Sequence, residues 1–224
     1  MGAYRRRHRR SASATTTMST RMKLNSDGAE IPATPVSVYE AIFRRRHVKE
    51  FTADEVSRET LERLFSAAVW APNHRLTEPT RFFAVQKDSP VRTKIAEVAW
   101  QSAYDGVTNP NPEQKQRSAD DLRDRVLTAP AMVYVYSVKG LVQEITLENY
   151  ASSCIAVHNM ALAAVAEGLS LGWSTGRLTK LPDLANILGA NEDWMMVGVV
   201  FIGKAAEDPA TQRTPHSELV TWHE

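Results

Sequence analysis

The sequence predicts an α+β or α/β protein, with helices and strands layered around one sheet, and three observations lead to this. Helical periodicities alternate along the chain with short runs rich in Val, Phe and Tyr, and interspersed elements of this kind bury their apolar faces by stacking helices on a sheet. The run 195–202 is continuously apolar, as a strand covered on both faces requires. The 224 residues are 43% hydrophobic and 24% charged, a globular composition that excludes collagen, coiled coil and global disorder. A chain of this length can bury about 70% of its unfolded surface in one domain.

The first 35 residues stand apart. They are rich in Arg, Ser and Thr, contain Pro32 and Pro35 and lack helical periodicity, so they are expected to be a disordered basic tail ahead of a folded body at 36–224. Three readings of the tail stay open: a dispensable extension with Met18 or Met22 as internal starts, an organelle transit peptide, or an arm for polyanions. It has no apolar core of a secretory signal, so secretion is not expected. Seven of the 27 basic residues lie within 1–24, leaving 20 against 26 acids in the rest, about −6. A body of that charge argues against a nucleic-acid surface. The apolar stretches, such as 194–203, fall far short of the roughly 20 residues of a membrane helix. The single cysteine, Cys154, excludes an internal disulfide and a cysteine-cluster metal site.

The body opens with Ser37-Val38-Tyr39-Glu40, the form of a capping box. Val38 and Ile42 then mark an apolar stripe, with Tyr39 and Phe43 beside it. After Ser57, the residues Leu61, Leu64, Phe65, Ala68 and Val69 share one helical face, and Pro72 stops the helix. The run 81–86 reads as a strand. Ser89-Pro90 opens a helix carrying Val91, Ile95, Val98 and Ala99. An Asn- and Pro-rich connection, 106–112, leads to a charged helix, and 131–138 is a strand. A long helix is expected over 147–167, with Ala151, Cys154, Ile155, His158, Leu162, Val165 and Ala166 on one face and Met160, Ala161 and Ala164 extending the apolar cover. A helix this apolar is covered by a core or by a partner subunit. Gly168 ends it, 169–174 returns as a short strand, and Pro182 and Gly189 bracket a further short helix.

There is no H-E-x-x-H and no glycine-rich nucleotide loop. Cys154 and His158 are four apart on a helix, which permits a thiolate–imidazole pair, although a cysteine among Ala and Ile more commonly packs. The segment Phe43-Arg44-Arg45-Arg46-His47-Val48-Lys49-Glu50-Phe51 gathers four cations and a histidine at a helix end. Charge alone leaves two readings near even. One is complementation of the helix dipole; the other is a phosphate clamp of forked guanidinium donors.

Together with Trp70-Ala71-Pro72-Asn73-His74-Arg75 and Glu78-Pro79-Thr80-Arg81-Phe82, this segment resembles the nitroreductase family of FMN-dependent oxidoreductases. Its motifs there are R-R-S-x-R/K-x-F, a helix ending in A-P-S or A-P-x-H, and Q-P-W-x-F. The A-P-N-H-R form is most similar to the small subgroup of NAD(P)H nitroreductases. Further on, the segment 168–176 looks like the family's glycine-and-tryptophan stretch beside the flavin. Gly198 to Lys204 resembles its last core strand, and Arg213-Thr214-Pro215 with Val220-Thr221-Trp222 resembles its terminal element.

The resemblance implies a three-layer α/β/α sandwich with a central mixed sheet, an intertwined homodimer with FMN at the interface, and NAD(P)H as electron donor to a nitroaromatic, quinone or similar small-molecule acceptor. No catalytic side chain is required, because the flavin holds the chemistry. It places Arg45, Arg46 and His47, with Lys49 as a further cation, on the FMN phosphate and ribityl chain. Arg213 would close the phosphate site, Trp70 and His74 would reach FMN across the interface, and Trp173, Ser174 and Thr175 would lie beside the isoalloxazine ring. Three positions depart from the family pattern: His47 stands for serine, Glu78 for glutamine and Thr80 for tryptophan. His74 as a loop histidine and Trp70 as a core aromatic remain alternatives. A flavoenzyme of the same fold with a flavin-consuming or substrate-oxidising reaction stays open, as does an adaptor acting through the basic tail. Nucleic acid and membrane are not expected partners, and the expected location is the cytoplasm.

Overall fold

A computed structural model describes residues 31–106, 108 and 111–223. The expected tail therefore lies almost wholly outside the described residues. Residues 34–224 form one compact unit; of the other unit, residues 1–33, only 31–33 are described, as irregular chain.

The elements run α1 (Val38–Arg44), α2 (Arg58–Ala68), β1 (Thr80–Val85), α3 (Pro90–Gly106), α4 (Pro112–Thr128), β2 (Ala131–Ser137), α5 (Gln143–Ala166), β3 (Ser170–Ser174), α6 (Leu184–Leu188) and β4 (Met195–Gly203). The sheet order is β1-β2-β4-β3. All three pairings are antiparallel, where the family resemblance led us to expect a mixed sheet. The parallel pairing among the described residues is an isolated bridge, His47 with Leu171.

Period-2 alternation along the central strands, interrupted in β4 by a bulge at Val197, splits the core into two layers. Met132, Tyr134, Tyr136, Val199 and Phe201 face α3, α4 and α6. Val133, Val135, Val197, Val200 and Ile202 face α2 and α5. The result is the expected three-layer arrangement. Caps fix the helix starts: Ser37 Oγ accepts from the Glu40 N–H, Ser57 Oγ from Thr60, and Asn111 Oδ1 from Glu113. Only half of the Ser37 capping box forms, because the Glu40 carboxylate reaches forward to Arg44 at 2.8 Å.

Two expectations about buried faces are corrected. In α1 only Ala41 is buried, and Val38, Tyr39, Ile42 and Phe43 stand exposed. In α5, which starts a turn earlier than expected, the buried face is Asn149, Ser152, Ser153, Ala156, Val157, Met160, Ala161 and Ala164. Ala151, Ile155 and His158 point outward. The cause is polar: Thr80 Oγ1 donates to Ser153 Oγ at 3.0 Å, and Thr77 Oγ1 donates to Asn149 Oδ1 at 2.7 Å. Satisfied hydroxyls and amides can be buried at little cost, so the helix turns them inward and leaves part of its apolar surface outside.

Arg92 is fully buried in the α3/α4 layer. Its guanidinium donates to the carbonyls of Val126 at 2.8 Å and Val85 at 3.2 Å, and to that of Ala129. It thereby ties the ends of β1 and α4 to the approach to β2. Removing it would orphan three carbonyls and open a cavity. Arg92→Ala is expected to lower unfolding free energy by about 3 kcal/mol or more, read from the denaturant midpoint; a loss below about 1 kcal/mol would show that the three bonds are dispensable.

Candidate functional site

The cationic segment is extended and stitched to the sheet. The Val48 N–H donates to Leu171 O at 3.3 Å, Thr52 N–H to Lys204 O at 2.9 Å, and Ala206 N–H to Glu50 O at 3.0 Å. Extended backbone sends alternate side chains to opposite sides. Arg44, Arg46 and Val48 line a cavity with Gly168, Leu169 and Lys204. His47, Val48, Lys49 and Glu50 line an adjoining cleft of about 330 Å³ that shares Val48, Glu207 and Pro209 with it. Gly172 makes this crossing possible, because a Cβ there would collide with the Val48 carbonyl.

The helix-end reading of the arginine run is realised by Arg46. Arg46 Nη1 donates to Phe43 O at 2.6 Å and Arg45 O at 3.0 Å, closing the C-terminal end of α1. Its Nε is buried without a partner. Arg44 is neutralised by Glu40. Arg45 and Lys49, by contrast, form no side-chain ion pair among the described residues.

His47 sits between them. Its Nδ1 accepts the Trp173 backbone N–H at 3.3 Å, which leaves the proton of a neutral ring on Nε2. Partial burial holds its pKa below the usual 6.5, and Lys49, Arg125 and Arg45 lower it further. The ring is thus a neutral donor amid cations that act on it from α1, the crossing segment and α4. Arg125 carries no sequence signal, being one of several charges on a polar helix 76 residues after Lys49.

Trp173 forms the adjoining wall. Its Nε1–H donates to Val197 O at 3.1 Å, and Gly198 leaves room for the indole, since a Cβ there would strike it. Ser174 Oγ accepts the Gly176 N–H at 3.3 Å, and Thr175 is exposed. The Trp173 backbone N–H is taken by His47.

Trp70 is 56% exposed at the end of α2, which removes the core-aromatic alternative within this chain. His74 begins a loop with three non-glycine residues at positive φ, Arg75, Leu76 and Glu78. Such backbone costs about 1–2 kcal/mol per residue and persists only where its surroundings hold it. Here His74 Nδ1 lies 2.9 Å from Glu148 Oε2, Thr77 is bonded to Asn149, and the Glu78 N–H donates to Asn73 Oδ1 at 3.0 Å. The α5 side chains that hold this loop have no pattern in sequence.

Arg213 lies in the exposed C-terminal run and makes no hydrogen bond or ion pair among the described residues. That run leaves the body beside the cleft, through Glu207 and Pro209. Arg213 lies four positions beyond Pro209, a reach of about 14 Å at full extension. The described chain thus gathers Arg45, His47, Lys49 and Trp173, places Arg46 on the other side, and does not gather Trp70, His74 or Arg213 with them.

The nucleophile readings do not survive. Burial pushes the Cys154 thiol up, a Tyr150 hydrogen bond offsetting part of the shift, and His158 points outward. Gly168-Leu169-Ser170-Leu171-Gly172 has the G-x-S-x-G form, but Ser170 opens a strand after a helix, the reverse of a nucleophile elbow. No group of three metal-ligating side chains exists among the described residues, and no described helix is long and apolar enough to cross a membrane.

The fold is that of an α+β protein with a cleft at a sheet edge that holds His47, Lys49, Glu50 and Glu207. The model of the Nitroreductase family matches residues 42–204, and the chain belongs to that family. It is 24% identical over 188 residues to YfhC of Bacillus subtilis, named as an NAD(P)H nitroreductase, covering 83% of this chain and 94% of the relative. It is 27% identical over 192 residues to the 5,6-dimethylbenzimidazole synthase of Rhodospirillum rubrum, covering 82% and 88%. The crystal structure of a nitroreductase-like family protein from Bacillus cereus superposes with a TM-score of 0.73 at 29% identity, over 87% of this chain and 100% of that one. The FMN and NADPH-dependent nitroreductase NfnB of Sphigopyxis sp. strain HMH shares the fold at a TM-score of 0.68 and 18% identity, over 84% and 99%.

The local electrostatics give a titration test. In flavin-free protein the His47 ring is expected to titrate below 6.5, because its partial burial disfavours the charged form and protonation adds to the positive charge of Lys49, Arg125 and Arg45. A bound phosphate should move it upward. Nitrogen-detected NMR of the ring reads both; a midpoint at or above 6.5 without ligand would contradict the geometry.

Proposed function

We propose that the protein is an FMN-dependent oxidoreductase passing electrons from NAD(P)H to a nitroaromatic, quinone or similar acceptor. The observation that carries this reading is that Arg45 and Lys49, without an ion-pair partner among the described residues, act on a neutral His47 beside Trp173. Unpaired like charges held close together repel, and an anion relieves that repulsion. The donor set fits a phosphate monoester: forked guanidinium, point-charge ammonium and a neutral ring N–H.

FMN, when bound, supplies the two-electron chemistry, and a site shared in turn by donor and acceptor makes ping-pong kinetics the expectation. The chain's own residues position it. Arg45 and Lys49 supply charge at the phosphate, His47 adds a donor, and Trp173, locked by Val197, gives a rigid wall. Arg46, set apart by the alternation of the backbone, serves through the helix end it closes. Arg213 is proposed to complete the phosphate site from the C-terminal run. Trp70 and His74 are proposed to contact the flavin of a second copy, with Ser174 and Thr175 beside the ring.

A homodimer is supported by what one chain leaves uncovered. The outer faces of α1 and α5, with Trp70 and the 83%-exposed Trp222, present apolar side chains to solvent, and a two-fold interface would cover the same patches on both copies. Within this reading the folded body works in the cytoplasm, and residues 1–35 are a tail outside it.

The match to 5,6-dimethylbenzimidazole synthase favours keeping a second reading, a flavoenzyme of the same fold that consumes flavin or oxidises a substrate. One experiment separates them. Purified protein should be yellow, bleach with NAD(P)H and regain its full visible band when a nitro compound or quinone is added. A band that fades with each cycle favours the second reading, and a colourless protein that takes up no FMN sinks both. Arg45→Ala should lose FMN while remaining folded.

A further inference from the structure

The last turn of α4 brings a charge to the cleft from the opposite layer of the fold. Arg125 lies with its guanidinium 4.7 Å from the centroid of the Phe201 ring. With Lys49, Phe51 and Phe201 it lines a cavity of about 480 Å³ that shares Lys49 and Glu50 with the His47 cleft. Three acids, Glu50, Asp121 and Asp124, line the same cavity. Asp124 pairs with Arg123 at 3.0 Å, and Arg125 itself forms no ion pair among the described residues.

A place near a helix C-terminus favours a cation of any kind. It does not require the flat seat on Phe201. A guanidinium laid on an aromatic face is oriented through its π surface, so its in-plane N–H donors stay available. Arg125 is also one of the three cations that depress the His47 titration, along with Lys49 and Arg45.

The charge balance gives this position a purpose. Glu50 and Glu207 line the His47 cleft and offset part of the field of Arg45 and Lys49. A dianionic phosphate facing those two cations and two acids would be under-compensated.

We propose that Arg125 is a further cation of the phosphate site, reaching across from α4 to hold the same anionic end as Arg45, His47 and Lys49. The inference rests on the FMN reading above and adds a residue from the α3/α4 layer to it. The phosphate would then be gripped from both helical layers, with α4 joined to the cofactor.

The test compares FMN with riboflavin, which lacks the phosphate, by fluorescence titration of deflavinated full-length protein. Wild type should prefer FMN strongly. Arg125→Ala should weaken FMN binding by about tenfold or more, as loss of a charge-assisted bond predicts, and leave riboflavin unchanged. Arg125→Lys should fall between. Equal weakening of both ligands would mean that Arg125 acts only through packing on Phe201, and unchanged FMN affinity would remove it from the site; either result overturns the inference while leaving the FMN reading intact. Wild type that does not distinguish FMN from riboflavin would overturn the phosphate site itself, and Arg125 with it. Arg125 is exposed at a helix end, so the variants should melt near wild type; Arg125→Met, which keeps the stem over Phe201, separates charge from packing if the alanine variant does not.

Discussion

Backbone pairing between the segment after α1 and the ends of β3 and β4 is the constraint on which the site depends. The bonds of Val48 to Leu171, Thr52 to Lys204 and Glu50 to Ala206 hold the segment extended. Once extended, its side chains can only alternate. His47 and Lys49 then line the cleft, whereas the Arg46 guanidinium closes the end of the helix it follows. The crossing passes over Gly172 because no larger residue leaves space for the Val48 carbonyl. It also presents the His47 ring to the Trp173 N–H. One stretch of β-like pairing thereby parts Arg46, bonded to the helix end, from His47 and Lys49 in the cleft.

That sorting explains what was legible in the sequence and what was not. α2, β2 and β4 read correctly because each carries a single dominant periodicity: Leu61, Leu64 and Ala68 do face the core, and all seven residues of β2 are buried. The circumference of α5 is apolar on most sides, so periodicity could not choose its inner face. Hydrogen bonds from Thr77 and Thr80 to Asn149 and Ser153 made the choice, and such long-range pairing leaves no local mark. Arg45, Arg46, His47 and Lys49 were identifiable as a group from charge density and family resemblance. Separating Arg46 from the others required the backbone course. Arg125 was invisible for a different reason: its significance lies in Phe201, 76 residues onward and on another strand.

The same physics accounts for the uneven distribution of charge. The body is acidic overall, yet Arg45, Lys49 and Arg125 all act on the His47 ring, and none has an ion-pair partner among the described residues. Such a patch is electrostatically unfavourable in the empty chain and becomes favourable when a compact anion binds. The neutral state of His47 fits this economy, since a donor without charge adds a hydrogen bond without adding repulsion. The strained loop at Arg75, Leu76 and Glu78 follows a related logic. Its bonds to α5 hold an unfavourable backbone in place, a cost that is commonly borne where a ligand or partner is met.

The central claim is that the cleft is built for a dianion, and phosphorus NMR of FMN bound to the full-length protein tests it most directly. A phosphate monoester in solution takes its second proton near pH 6. Surrounded by Arg45, Lys49 and Arg125, the bound group should stay dianionic and keep a constant shift as pH falls from about 8 to about 5. A bound phosphate that titrates as it does in free FMN would show that these cations do not hold it.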